Sequence, residues 1–283
     1  MLAIAGGAGA ALVFATVTLC NSRSSRMIGP TQLLAWVMLI GLAVIAPLVA
    51  VRGVPAGLDV RSGAWLAVAG VGNVLGLLLA YAALRGGKVG VVAPLVSTQG
   101  AIAALIAVLA GETIATAAGF LLVVIALGVA LASVAPAERR AEGARHDPRA
   151  TLYALGAALA IGWSLYATAR ASIDLPVVWA LLPSRAIGVA AVTLPVALRS
   201  GLRMTRRALP LVAVSGVCEV AGFALFAFGA RHGIAVAAVL SSQFAAIAAV
   251  GAFVLFRERL TRLQLTGVAL VAAGVGALSG VQA

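Results

Sequence analysis

The chain has 283 residues, of which 63% are hydrophobic and 10% charged, and its mean hydropathy is +1.14. Soluble domains average about 45–50% apolar and about 25% charged residues, because a domain of this size keeps a large solvated surface. The composition therefore excludes a water-soluble enzyme, a nucleic-acid-binding domain and a disordered chain, and it indicates an integral membrane protein. The net charge of +12 lies between apolar runs, where it predicts membrane topology rather than binding to nucleic acid.

Ten apolar stretches follow one another along the chain. Each is close to the ~20 residues that a membrane-crossing helix needs, and the runs are continuous rather than alternating, which favours helices over a β-barrel. The first stretch has no basic segment before it, so a span is expected there rather than a signal peptide. The predicted spans are, in order, residues 2–20, 31–51, 63–84, 90–110, 114–134, 152–169, 176–198, 209–230, 234–255 and 264–281.

The two halves of the chain resemble each other in sequence. Residues 67–87 align without a gap with residues 213–233, and nine of these 21 positions are identical. The same offset of 146 residues pairs Glu112 with Glu258. We therefore expect three parts: a first five-helix repeat at 1–134, a polar linker loop at 135–151 and a second five-helix repeat at 152–283.

An odd number of helices in each repeat means that the second repeat enters the membrane from the opposite side. Inverted repeats of this kind build many secondary transporters, whose substrate site lies at the midplane between the repeats. The sequence thus predicts an all-α integral membrane protein with ten transmembrane helices in two inverted five-helix repeats. Its expected partners are a small-molecule solute and the lipid bilayer.

Basic residues divide unevenly between the predicted loops. Loops after the odd-numbered spans hold 15 of the 20 Lys and Arg residues, whereas loops after the even-numbered spans hold four. The positive-inside rule then predicts that the odd-numbered loops lie in the cytoplasm and that both termini lie outside.

Glu219 stands near the middle of the eighth predicted span. A charge at the bilayer centre costs about 2.5–3.5 kcal/mol on insertion scales, so such a group faces a cavity, pairs with a cation or binds a proton. Two interpretations follow: Glu219 titrates a proton or binds a substrate cation, or it forms a fixed ion pair with Arg185 of the seventh span. Arg185 can neutralise Glu219, bind a substrate carboxylate or extend to the interface.

Polar clusters at matching places interrupt two apolar runs. The fourth span contains Ser97, Thr98 and Gln99, and the ninth contains Ser241, Ser242 and Gln243. Their neutral donors and acceptors suit a polar solute, although at about 100° per residue only part of each cluster can line one cavity. Hydrogen bonds between helices, worth about 0.6–2 kcal/mol each, are the alternative.

Three further side chains are candidates for contact with a solute. Asn73 occupies the position equivalent to Glu219 in the first repeat, where a neutral amide either makes the site asymmetric or bonds a neighbouring helix. Trp163 and Tyr166 share one face of the sixth span, and Trp163 is placed to stack on a substrate or to pack between helices.

The sequence contains no pattern typical of catalysis. Nothing resembles a Ser/His/Asp set, a phosphate-binding loop or a metal cage, so we expect no enzymatic activity, no metal and no cofactor. Glu112 and Glu258 end the fourth and ninth spans, where local partners are expected.

Two segments carry a family resemblance. They read PLVSTQGAIAALIAVLAGETIATAAGFLLVVIALGVAL and VLSSQFAAIAAVGAFVLFRERLTRLQLTGVALVAAGVGAL. In each, small and polar residues precede a Gly-Glu or Arg-Glu ending, and a Gly-rich helix follows. This pattern, over essentially the whole chain, resembles the EamA-type family of the drug/metabolite transporter superfamily.

The resemblance implies a permease of the cytoplasmic membrane, usually an exporter of amino acids, other metabolites or drugs. It would work by alternating access, often coupled to protons, and it implies cytoplasmic termini, opposite to the charge count. A lipid or lipid-linked precursor flippase of the same fold is the nearest alternative, and a channel or membrane sensor is the alternative of another class. The resemblance assigns no substrate residue, so Glu219 and its neighbours rest on physical reasoning.

Overall fold

The computed structural model describes residues 1–86, 95–132, 148–256 and 262–281. These ranges are mainly helical, and each predicted span overlaps helical residues within them. A π-helical segment, Val189–Thr193, joins the α-helix Val177–Gly188 to the α-helix Leu194–Ser200. The helices are α1 (Leu2–Ile28), α2 (Pro30–Arg52), α3 (Val60–Gly86), α4 (Gln99–Leu109), α5 (Thr116–Ala132), α6 (Pro148–Asp174), α7 (Val177–Gly188), α8 (Leu194–Ser200), α9 (Leu209–Ala230), α10 (Ile234–Ser241), α11 (Phe244–Phe256) and α12 (Arg262–Val281).

Several of these helices are long and apolar enough to cross a membrane. Six such segments occur in the described ranges, and shorter apolar helices stand at Leu95–Leu109, Thr116–Gly128 and Ile234–Ala248. The described chain is therefore an all-helical, multi-pass membrane protein, whereas ten spans in two inverted repeats remain a prediction. The six segments are Leu2–Ile28, Pro30–Arg52, Val60–Ala80, Arg149–Asp174, Val177–Ser200 and Leu209–Ala230.

Helix α1 extends eight residues beyond its predicted span, to Ile28. The apolar run marks only the part of the helix that lies in the hydrocarbon core, where residues must be apolar. Helical hydrogen bonding continues through the polar residues that follow. Gly29 ends the helix with a φ of +84°, a conformation that a residue without Cβ adopts freely. Pro30 then begins α2, at a position where its missing N–H has no helical acceptor to lose.

Most of the extensive helix pairs join one predicted repeat to the other. Helix α1 packs on α9, α3 on α6, α4 on α10, α5 on α12 and α2 on α7. Small residues allow this close approach: a Cβ on Gly6 would lie 2.5 Å from the Cα of Gly229. A Cβ on Gly72 would likewise lie 2.8 Å from the carbonyl oxygen of Ala160. The described parts of both halves thus form one packed bundle.

Candidate functional site

An ion pair lies in the interior of the bundle. Arg185 Nη1 of α7 is 3.1 Å from Glu219 Oε1 of α9. Arg185 is fully buried and Glu219 is 8% exposed. The structure therefore brings together the two intramembrane charges that the sequence analysis considered as partners.

Helix α2 and an aromatic ring enclose the guanidinium of Arg185. Its Nη1 lies 3.6 Å from the sulfur of Met38, and its Cζ is 5.5 Å from the centre of the Phe223 ring. Gly41 passes so close that a Cβ there would lie 2.9 Å from Arg185 Cδ and 3.2 Å from Nε. The guanidinium thus occupies space that α2 leaves open by having a glycine at this turn.

Most of the hydrogen-bonding capacity of the guanidinium is unused. Among the described residues, three buried side-chain polar atoms lack a hydrogen-bond partner: Arg185 Nε, Arg185 Nη2 and Gln243 Nε2. All three are N–H donors. Buried N–H donors normally have an acceptor. The lack of an acceptor for these three donors marks a position where a ligand oxygen can bind.

Three phenylalanines connect the ion pair with the start of α11, the helix that begins directly after Gln243. The Phe14 ring of α1 lies 5.2 Å from the Phe223 ring and 6.4 Å from the Phe244 ring, both edge-to-face. Phe223 is the ring beneath Arg185, and Phe244 directly follows Gln243. The aromatic cluster built from α1, α9 and α11 therefore extends from Arg185 to the residue that follows Gln243.

The two polar clusters lie where their helices are interrupted. Thr98 forms a turn before α4, and Ser242 and Gln243 form a turn between α10 and α11. The interruptions are close together, since a Cβ on Gly100 would lie 2.5 Å from the Ala238 carbonyl oxygen and 2.5 Å from Ser242 Cβ. Interrupted helices that meet in this way are typical of transporter substrate sites.

The hydroxyls of these clusters mostly bind their own helices. Ser241 donates to the Ala238 carbonyl at 2.9 Å, and Thr98 donates to the Leu95 carbonyl at 2.7 Å. Ser97 is buried and Gln99 is half-buried, beside Gly162 of α6. Gln243 is the cluster residue with a buried side-chain atom, Nε2, that has no hydrogen-bond partner among the described residues.

The other sequence candidates, Asn73, Trp163 and Tyr166, lie on α3 and α6. Asn73 is buried on α3, and within the described residues no hydrogen bond joins it to Arg185 or Glu219. Trp163 is 46% exposed on a stripe with Leu155 and Leu159, and its role as a substrate contact stays a prediction. Tyr166 is buried, with its ring 6.3 Å from that of Trp163.

A cavity of about 470 Å³ lies at one end of the bundle, between the ends of α4, α6 and α9. Glu112 lines it and accepts a hydrogen bond from the Ala235 N–H at 3.2 Å, at the beginning of α10. Burial raises the pKa of the Glu112 carboxyl, and hydrogen bonds from the backbone of Ala235 and Ile234 oppose that rise. Sequence reasoning expected a local partner, but this partner lies 123 positions away and no pattern indicates it.

Arg231 supports the same end of the bundle. Its Nη2 donates to the Leu175 carbonyl at 2.8 Å, and its Nε donates to the Ser172 carbonyl. Ser172 lies in the last turn of α6 and Leu175 directly follows that helix, at the end where unpaired carbonyls attract a cation. Arg231 thereby ties the end of α9 to the end of α6.

The described residues thus form a multi-pass helical bundle with an ion pair buried between its helices. Residues 1–134 match the EamA-like transporter family, so this part of the chain is EamA-like and the expected family is confirmed. Together with the apolar helices, the match supports a transmembrane transporter. The matched family is one of transporters rather than enzymes.

The fold of the whole chain has a counterpart among solved structures. One, described as "Crystal structure of protein", has a TM-score of 0.78 and 20% sequence identity, covering 99% of this chain and 97% of that chain. At this identity the likeness shows the fold alone. No curated protein matches the chain.

Proposed function

We propose that this protein is a secondary transporter of the cytoplasmic membrane that exports a small metabolite, an amino acid or a drug by alternating access. Glu219 is the carboxylate that couples transport to protons, and Arg185 is its partner. The observation that carries this proposal is the buried contact between these two charges, one on α7 and one on α9.

The ion pair has two states that differ in charge balance. When Glu219 is ionised it neutralises Arg185, and when it binds a proton the guanidinium loses its anionic partner. Breaking a buried ion pair is costly, so the two protonation states favour different arrangements of α7 and α9. A proton that reaches Glu219 from one side of the membrane can therefore bias the bundle toward one conformation.

The interrupted helices support alternating access. Proline and π-helical segments are common places for a helix to bend, and α7 contains Pro183 and continues through the π-helical segment Val189–Thr193. The breaks at Thr98 and Ser242 lie against each other between the two predicted repeats. These three breaks supply bending points around the ion pair.

The first test compares cells that express the wild type or Glu219→Gln at equal membrane levels. Metabolites are measured in the cells and in the medium at two external pH values. We expect the wild type to change a small set of solutes in a pH-dependent way and Glu219→Gln to lose that effect. Glu112→Gln is the matched control, because it neutralises a half-buried carboxylate that lines the end cavity and is not part of the ion pair. Equal profiles for wild type and Glu219→Gln would contradict the coupling role.

A double variant separates coupling from a purely structural ion pair. We expect Arg185→Gln to reach the membrane but to transport less, because Glu219 is left without its cation. Adding Glu219→Gln removes the unpaired charge and restores thermal stability. Transport stays absent in the double variant if the charges act in coupling, whereas restored transport would show that the pair is structural.

The same measurements discriminate the other function classes. A wild type that changes no solute directs the next assay to lipid translocation, the activity expected of a flippase. Flux that neither saturates nor exchanges with solute on the other side would indicate a channel. Saturable exchange is the outcome expected for a transporter.

A further inference from the structure

We infer that the transported solute is an organic anion whose carboxylate binds the Nε–Nη2 edge of Arg185. The inference rests on the proposed function, since it names the substrate class of the same site.

The guanidinium has a free edge of the right shape. Its Nη1 faces Glu219 and Met38, while Nε and Nη2 are buried without an acceptor. These two nitrogens present parallel N–H groups that match the two oxygens of a carboxylate. Arg185 can therefore hold Glu219 through one nitrogen and a solute carboxylate through the other two.

The third buried atom without a hydrogen-bond partner also needs an oxygen acceptor. Gln243 Nε2 is a donor too, at the break between α10 and α11. A solute oxygen satisfies a donor of this kind, whereas a cationic solute would leave the Arg185 donors unpaired and would compete with Arg185 for Glu219. The arrangement thus selects for an anion.

Charge balance connects the anion with the proton. Arg185 and Glu219 together are neutral, so a carboxylate entering the buried site leaves one uncompensated negative charge unless Glu219 is protonated. The nearest side chains on α2 and α9, Met38 and Phe223, carry no charge, and Arg185 is the cation that contacts Glu219 among the described residues. One proton therefore accompanies each bound carboxylate.

The test measures binding to the purified full-length protein in detergent. The probes are succinate, benzoate and phenylacetate, each paired with its uncharged amide, and inorganic phosphate serves as a different oxyanion. Thermal stabilisation and equilibrium dialysis are measured below and above neutral pH. We expect the carboxylates to bind at least about tenfold more tightly than their amides, and more tightly at the lower pH.

Two variants locate the binding edge. Arg185→Lys keeps the positive charge but lacks the paired N–H groups, so we expect at least about tenfold weaker binding of the carboxylates. Arg170→Lys is the matched control, because Arg170 lines the end cavity rather than the ion-pair site. The comparison of acid with amide on the wild type decides the question even where Arg185→Lys does not fold.

Several outcomes would overturn the inference. They are equal binding of acids and amides, stabilisation by phosphate alone, no stabilisation by any carboxylate, and unchanged binding by Arg185→Lys. If solute profiles depend on Glu219 while this binding test fails, the proposed transport stands and the assignment of a carboxylate falls. If the carboxylates bind but the wild type changes no solute in cells or medium, the proposed export falls and the carboxylate site stands as a binding site.

Discussion

The Arg185 side chain fits against α2 because residue 41 is a glycine and has no side chain. A Cβ at position 41 would lie 2.9 Å from Arg185 Cδ, closer than carbon atoms approach without movement. The same Cβ would stand 3.2 Å from Nε, beside the edge to which we assign the solute carboxylate. The position of the charge thus depends on an uncharged residue of another helix.

We expect Gly41→Ala to reduce transport and to lower the free energy of unfolding by about 1–3 kcal/mol, because the added methyl group overpacks the site. Solute profiles and thermal unfolding of the full-length protein measure both effects. Gly63→Ala is the control, since no heavy atom lies within 4 Å of a Cβ at that position. Similar effects of the two substitutions would contradict the role given to Gly41.

Helices α1 and α9 cross through backbone contact. A Cβ on Gly6 would lie 2.5 Å from Gly229 Cα and 2.7 Å from Gly229 N, atoms that cannot rotate away. At Gly9, one turn further along α1, the nearest atom would be Leu225 Cδ1 at an ordinary 3.4 Å. Neighbouring glycines of the same helix therefore differ in what they contribute to packing.

We expect Gly6→Ala to destabilise the protein by about 1–3 kcal/mol, because α1 and α9 must separate. Gly9→Ala is expected to be neutral or to stabilise by up to about 1 kcal/mol, since alanine favours a helix more than glycine does. Thermal unfolding in one detergent measures both. Equal destabilisation would show that the crossing is looser than described.

The carboxylate of Glu112 caps α10 from the loop that follows α4. Because burial raises its pKa above the ordinary 4.5, the ionised form is less favourable in the folded than in the unfolded protein. This destabilising effect of the ionised carboxylate is absent at pH values below the ordinary pKa. The free energy of unfolding falls as the pH rises through the raised pKa.

We expect Glu112→Gln to flatten this dependence of thermal stability on pH, because the amide oxygen still accepts from Ala235 but carries no charge. Melting temperatures between about pH 4 and pH 8 measure it. Glu112→Ala removes the acceptor and is expected to cost about 1 kcal/mol at every pH. A Gln variant that follows the wild-type curve would show that another group causes the slope.

The charges of the whole molecule predict its orientation. With 15 basic residues in the loops after odd-numbered spans and four after even-numbered spans, both termini are expected outside. A C-terminal fusion to a reporter that fluoresces only in the cytoplasm tests this, and we expect it to be dark. Full fluorescence would place the termini in the cytoplasm, as the family resemblance implies.

The sequence predicted the helices better than the contacts between them. Apolar runs mark helices because the bilayer imposes length and composition on each span separately, so the segment around Glu219 was identifiable from its neighbours alone. Glu219 and Arg185 were also predictable as partners, since a membrane interior rarely leaves two opposite charges apart. The breaks within the fourth and ninth spans were indicated only by their polar residues.

The sequence alone determined the class of protein, the approximate spans and the most informative charged residue. Only the tertiary structure decided that Arg185 keeps two donors free and that Glu112 caps α10. The physical reason is the distance along the chain over which each kind of signal acts. Hydropathy and helical periodicity act over a few turns of one segment, whereas these contacts join helices far apart in sequence through close packing, which no local pattern encodes.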